Sequence, residues 1–271
     1  KREINFDGTD FIGLFKWNYG DTAFDAPPFV PGMQEKMGVV VLDNHQAMHE
    51  AVFADVGTDT HIWEHDTDNS AALVAEVNAV NLKNGGFKLT SGNSEGNQTS
   101  LSTAGTHFIC ASGKPWWVKA RFNIADHDAA EFFFGLTERA ADVDDFHLTA
   151  AGAGADRIGF VKAAHDADAV TLAACKNTGG TISTAFDSAQ VYEADKDVVT
   201  YGIHWDGVDS IKFYANKVSS TEDTGDMELI HTFTDPDGIP DVNMRIALMI
   251  AAGTAAVVDA RVEYIKGVWT K

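Results

Sequence analysis

His61-Ile62-Trp63-Glu64-His65 is the stretch whose residue types and spacing match a catalytic pattern, the H-x-x-E-H of inverted zincins. That chemistry needs both histidines on one helix face, four residues apart, so that their ring nitrogens converge on zinc while the glutamate acts as base. Gly57-Thr58-Asp59-Thr60 could start such a helix, but Asp66-Thr67-Asp68-Asn69 ends it almost at once. The expectation is therefore rim histidines near a loop, with no catalytic metal. His45 and His49 share the same spacing and could join His61 and His65 in a four-histidine cluster, although nothing in the sequence sets its geometry. Acidic loops recur at Asp126–Asp128, Asp142–Asp145 and Asp235–Asp241. Oxygen-rich loops suit calcium, yet Asp235-Pro236-Asp237-Gly238 has the composition that a solvated β-turn demands.

Glycoside hydrolysis needs two carboxylates flanking the bond. On a strand they would sit at i, i+2 or i+4 of one face, and no strand-like stretch supplies them. Asp259 and Glu263 flank Arg261 on an outward face, where solvation is expected. There is no G-x-S-x-G elbow, no P-loop and no G-x-G-x-x-G. Ala151-Gly152-Ala153-Gly154-Ala155 is a flexible loop with no helix start behind it to cradle a phosphate. No catalytic residue, no cofactor and no metal site is expected. Trp116, Trp117, Trp205 and Trp269 could stack on sugar rings, against the blander reading of core or inter-sheet filling.

The elements that would carry these residues are strands. In Trp117–Ile124, Val118, Ala120, Phe122 and Ile124 alternate with Trp117, Lys119, Arg121 and Asn123. A period of two marks a half-buried strand. Asp126-His127-Asp128 then turns the chain into Glu131–Thr137, which is expected to lie beside the first strand. Further strands are predicted over 157–162, 169–176, 198–205, 210–216, 228–234, 243–251 and 257–266. The last places Val258, Ala260, Val262 and Tyr264 on one face. Asp206-Gly207 is a strong turn signal between two of them. Many short strands and almost no helical periodicity imply an all-β sandwich or barrel.

The N-terminal third is different. Phe11, Phe15, Trp17, Tyr19 and Phe24 keep no clean period, and Pro27, Pro28 and Pro31 break any regular element. A strand is expected over 38–42 and a short helix over 44–55. Residues 70–82 fit either a helix or a strand, and 85–91 is expected to be the first strand of the sandwich. The domain reading is an N-terminal arm or attachment segment over 1–48, a connecting segment or small subdomain over 49–84, and the sandwich over 85–271. The arm either packs on the sandwich as extra strands or lies on a neighbouring subunit.

Composition narrows the partners. The 271 residues hold 20 Lys and Arg against 40 Asp and Glu, a net charge of -20. Such a field repels phosphates and anionic membranes, and no basic stripe is visible along the sequence. Neither direct nucleic-acid binding nor a membrane partner is expected. Cys110 and Cys175 are too few for a disulfide framework; free thiols are the default and a single bridge is the alternative.

Several stretches in order carry a family resemblance: Lys114–Phe122, Glu131–Thr137, Asp156–Phe160, Tyr201–Gly207, Ile211–Asn216 and Val258–Lys266. The run from Gly85 to Lys271 resembles the concanavalin A-like/laminin-G-like jelly-roll modules found in structural proteins of tailed bacteriophages. The resemblance implies an antiparallel β-sandwich in a non-enzymatic virion protein on the capsid surface, a head decoration or cement protein. Its partners would be the major capsid protein and copies of itself, as a homotrimer or other homo-oligomer. The attachment residues would be Phe11, Phe15 and Trp17. Lectins and glycan-binding modules share the wider fold, so a carbohydrate-binding module is the alternative, with a glycan on the outer surface.

Overall fold

A computed structural model describes residues 37–43, 63–67, 72–76, 86–125, 129–138, 156–162, 171–175, 198–216 and 227–270. Among the described residues there are fourteen strands and no α-helix. They are β1 (Met37–Asp43), β2 (Trp63–Thr67), β3 (Ala72–Glu76), β4 (Gly86–Thr90), β5 (Gln98–Thr103), β6 (Trp116–Ala125) and β7 (Ala130–Thr137). The rest are β8 (Arg157–Lys162), β9 (Thr171–Cys175), β10 (Val199–Trp205), β11 (Ile211–Asn216), β12 (Glu228–Phe233), β13 (Arg245–Ala252) and β14 (Asp259–Thr270). They form two antiparallel sheets. The eight-stranded sheet runs β12-β11-β10-β6-β14-β4-β3, with β1 also on β14, and the six-stranded sheet runs β2-β5-β13-β7-β8-β9.

The alternation read from the sequence decides which side chains meet. Val118, Ala120, Phe122 and Ile124 of β6 enter the core with Tyr201 and Ile203 of β10. From the other sheet come Phe132, Phe134 and Leu136 of β7, and Ile246, Leu248 and Ile250 of β13. Aromatic rings stitch the layers. Phe122 meets Phe132 edge-on at 5.8 Å and Phe134 at 5.9 Å, and Tyr201 lies 4.6 Å from Phe160. The two Phe122 contacts are edge-to-face, a geometry that the charge distribution of an aromatic ring favours.

Three expectations change and one open choice, the third below, is settled. First, β6 and β7 are not paired: β6 lies in one sheet and β7 in the other. Both present phenylalanines to the same core from opposite layers, so they are not the two arms of a hairpin. Second, the strand at 86–90 is not the first in the sandwich, since β1 pairs with β14, β2 with β5 and β3 with β4. β1 and β4 divide one edge of the long β14, while β6 takes the other. Third, the segment that fitted helix or strand contains the strand β3. Fourth, Tyr264 does not share a face with Val258, Ala260 and Val262. The β6–β14 register shifts between Val262 and Tyr264, which makes Glu263 the extra residue of a β-bulge. A bulge reverses the alternation beyond it, so Ile265 takes the core position. The helix expected over 44–55 lies outside the described residues.

One cross-strand pair requires glycine on both sides. Gly135 faces Gly159 between β7 and β8. A Cβ on Gly135 would strike the Ile158 carbonyl oxygen and approach the Gly159 Cα to 2.5 Å, and a Cβ on Gly159 would meet the Phe133 ring at 2.6 Å. Phe133 thus lies across the glycine on the outer face of the sheet, where it packs with Val161, Ala247 and Met249.

Candidate functional site

The four candidate tryptophans converge at one end of the sandwich, because the register of three strands aligns them. Trp205 of β10, Trp116 of β6 and Trp269 of β14 stand opposite one another in a single cross-strand row. The next row is His204, Trp117 and Val268. The first row faces the core and the second faces away from it. Trp116 and Trp205 are buried, as the filling role predicts. Trp117 and Trp269 are only partly buried, and each stacks on a histidine. The Trp117–His204 rings lie 4.6 Å apart at 12°, and the Trp269–His107 rings 4.7 Å apart at 6°.

The 104–115 segment brings His107 to this end. A backbone bridge between Phe108 and Met244 pins it, and Phe108 meets the Trp116 ring edge-on at 6.0 Å. The Trp205 indole N–H donates to the Ala111 carbonyl at 3.2 Å, and the Gly113 N–H donates to the Gly207 carbonyl at 2.7 Å. Gly207, at φ +80°, sits in the β10–β11 turn. The Asp206 carboxylate organises that turn by accepting N–H bonds from Val208, Asp209 and Ser210, together with the Ser210 hydroxyl. Burial alone would raise the Asp206 pKa, but these hydrogen bonds outweigh it and hold it below the usual value. Burial holds the His204 imidazole down at about 4, with Lys212 adding to the depression and Asp206 opposing it. Burial lowers His107 as well. Both stacked histidines are therefore neutral at pH 7, and each pair is an uncharged aromatic surface. Cys110, beside this end, is a free thiol that burial pushes upward, away from the reactive thiolate.

A second set of polar residues covers the outer face of the eight-stranded sheet. Arg121 Nε donates to Glu263 Oε2 at 2.7 Å, with side chains 0% and 6% exposed, and Arg121 also reaches the Thr200 hydroxyl at 3.4 Å. Glu263, expected to be solvated, is buried instead because the bulge turns it onto Arg121. Asp259 accepts from the Thr90 hydroxyl at 2.8 Å and pairs with Lys88 at 3.6 Å. Both acids are committed to partners, which does not suit an acid–base pair. Lys119 and Lys266 each lie over the Tyr264 ring on this same face.

The zincin-like motif does not assemble. Trp63–Thr67 is a strand, so Glu64 and His65 point to opposite sides. Glu64 pairs with Arg245 at 3.0 Å. His65 Nε2 is 3.0 Å from the Thr99 hydroxyl, and burial holds its pKa at about 4. Among the described residues no group of three or more His, Cys, Asp or Glu could hold a metal. The Asp235 loop is a turn: the Asp237 N–H donates to the Asp235 carboxylate at 3.0 Å, and the Gly238 N–H to the Asp235 carbonyl at 3.1 Å. Phe11, Phe15, Trp17, His45, His49 and His61 lie outside the described residues, as do the acidic loops at 126–128 and 142–145 and the glycine-alanine loop. Sequence reasoning passed over His107 and His204, whose tryptophan partners sit on other strands at no fixed spacing.

No protein-family model matches the chain, and no curated protein matches it. Solved structures do. A protein of unknown function from Shewanella oneidensis MR-1 superposes with a TM-score of 0.56 at 10% identity, covering 91% of this chain and 97% of that one. Peanut lectin in complex with a peptide gives 0.54 at 11%, covering 87% and 98%. The carbohydrate recognition domain of Emp47p gives 0.50 at 10%, covering 86% and 97%. The class these define is the legume-lectin-like, concanavalin A-like β-sandwich, and this chain has that fold.

Proposed function

We propose that the chain is a non-enzymatic carbohydrate-binding domain whose Trp117–His204 and Trp269–His107 pairs receive sugar rings. The observation that carries this reading is the pairing itself: two partly exposed tryptophans at one end of a lectin-like sandwich, each stacked on a neutral histidine. Aromatic surface with a polar edge suits a sugar, which presents C–H groups on one face and hydroxyls around its rim. The Asp206 turn and Lys212 lie beside His204 and would supply hydrogen bonds to those hydroxyls. The lectin neighbours support the same reading through the fold they share.

The test is a glycan array probed with the purified chain, followed by titration of the best binder. Saturable binding is expected, weakened at least tenfold by Trp117→Ala or Trp269→Ala while the variants stay folded. A folded protein that binds no glycan would overturn the proposal. The capsid-attachment reading rests on the order of the sequence stretches, and the lectin neighbours add nothing to it. Its own test is co-sedimentation with capsids of the full chain and of a chain lacking residues 1–48.

A further inference from the structure

Building on the carbohydrate reading, we propose that Arg261 and Asn123 form an oxyanion subsite that selects an acidic saccharide, one bearing a carboxylate or a sulfate. The two residues stand directly opposite each other on β14 and β6, and Lys88 of β4 continues the row beyond Arg261. Their neighbours Phe122, Ile124, Ala260, Val262, Phe87 and Leu89 fill the core, so this row lies on the outer face of the eight-stranded sheet.

Three observations point to a ligand. The Asn123 side chain is 1% exposed, and neither its amide nitrogen nor its oxygen has a hydrogen-bond partner. Folded proteins almost always satisfy such groups, so both ends of this amide call for a partner such as water, an ion or a ligand. The Arg261 Nε is also buried without a partner. The charges around it are already paired: Arg121 with Glu263 and Lys88 with Asp259. Among the described residues Arg261 forms no ion pair, so its guanidinium is a cation of this face without a carboxylate. Arg261 is partly exposed while Asn123 is not, so the row opens to solvent at Arg261 and closes at Asn123.

The chemistry of the two groups sets the ligand class. A guanidinium recognises carboxylate and sulfate oxygens through its planar fork. The Asn123 NH2 can donate to the same anion, and its carbonyl needs a donor. An anionic sugar supplies both, an oxyanion and a neighbouring hydroxyl. A bare anion leaves the carbonyl unmet, and a neutral sugar leaves the guanidinium unpaired. Trp117 lies six residues before Asn123 on β6, about 20 Å away at the usual strand rise, so a ligand touching both would be an oligosaccharide.

Calorimetric titration of the full chain tests this with glucuronate, a sulfated glucose, glucose and sodium sulfate as probes, alone and as units of oligosaccharides. The acidic sugars should bind at least tenfold more tightly than glucose, with affinity falling as salt rises. Arg261→Gln should erase that preference, Arg261→Lys should restore part of it, and Asn123→Ala should weaken acidic sugars more than sulfate. Circular dichroism confirms that each variant is folded. Equal binding of acidic and neutral sugars, unchanged by Arg261→Gln, would overturn the subsite and leave the carbohydrate reading intact. Binding of sulfate alone, an adventitious ion only, would overturn the subsite as well. No binding of any saccharide would overturn both.

Discussion

The buried Arg121–Glu263 pair makes a quantitative prediction about the outer face of the eight-stranded sheet. The two side chains are 0% and 6% exposed and meet at 2.7 Å. Glu263→Ala removes this carboxylate from the buried guanidinium, and Arg121→Met removes this guanidinium from the buried carboxylate. Removing one partner of a buried pair costs about 3–5 kcal/mol. Desolvating both charges is itself expensive, so replacing the pair together by apolar residues of similar volume is close to neutral. The double variant Arg121→Met/Glu263→Leu should therefore lie within roughly 1 kcal/mol of the parent chain, far from the sum of the single changes. Urea denaturation reads this directly. With a slope of about 3 kcal/mol/M, each single variant should lower the midpoint by about 1–1.7 M, and the double variant should return close to the parent value. The slope itself should be unchanged. Single variants that cost less than about 1 kcal/mol, the worth of an exposed pair, would refute the reasoning. They would show that water reaches the pair.

Gly135→Ala should be among the more damaging small substitutions, since the new methyl meets the Ile158 carbonyl oxygen and the Gly159 Cα of the neighbouring strand. Overpacking of this kind costs about 1–3 kcal/mol or more, and a thermal melt that matches the parent would contradict the close approach. His65 and His204 should make the fold acid-sensitive. Burial places their folded pKa values at about 4 against 6.5, so the unfolded chain binds protons first. Their contribution is complete above about pH 6.5, is lost as pH falls toward 4, and is constant below that. The ceiling is about 3 kcal/mol for each ring, reduced by their partial exposure. Urea midpoints measured between pH 7 and 4 should fall less steeply for His204→Asn, and an unchanged slope would refute the burial argument for that ring.

How far the sequence carried the fold is clearest in β6. The alternation over 117–124 named the four side chains that enter the core, because a half-buried strand exposes its period directly. The same reasoning held for Val199, Tyr201, Ile203 and Trp205, and for the apolar face of β13. It failed at Tyr264, since one inserted residue in a ladder leaves no trace in the apolar pattern before it. It also failed for the partnership of β6 and β7, because closeness in sequence does not decide which sheet a strand joins. The tryptophans were visible as candidates, but which two stay at the surface depended on the register of β10, β6 and β14.

Residue types and alternation alone determined an all-β sandwich or barrel, since strand periodicity and turn chemistry are local properties. They also determined a net charge of -20 with no basic stripe along the chain. Only the tertiary structure gathered Lys88, Lys119, Arg121, Lys212, Arg261 and Lys266 onto one sheet face, from strands β4, β6, β11 and β14. Cross-strand register, set by pairing between distant segments, brings such residues side by side. The same register placed Trp117 on His204 and Asn123 opposite Arg261. Both features of the proposed binding face therefore arise between strands, where sequence spacing carries no information.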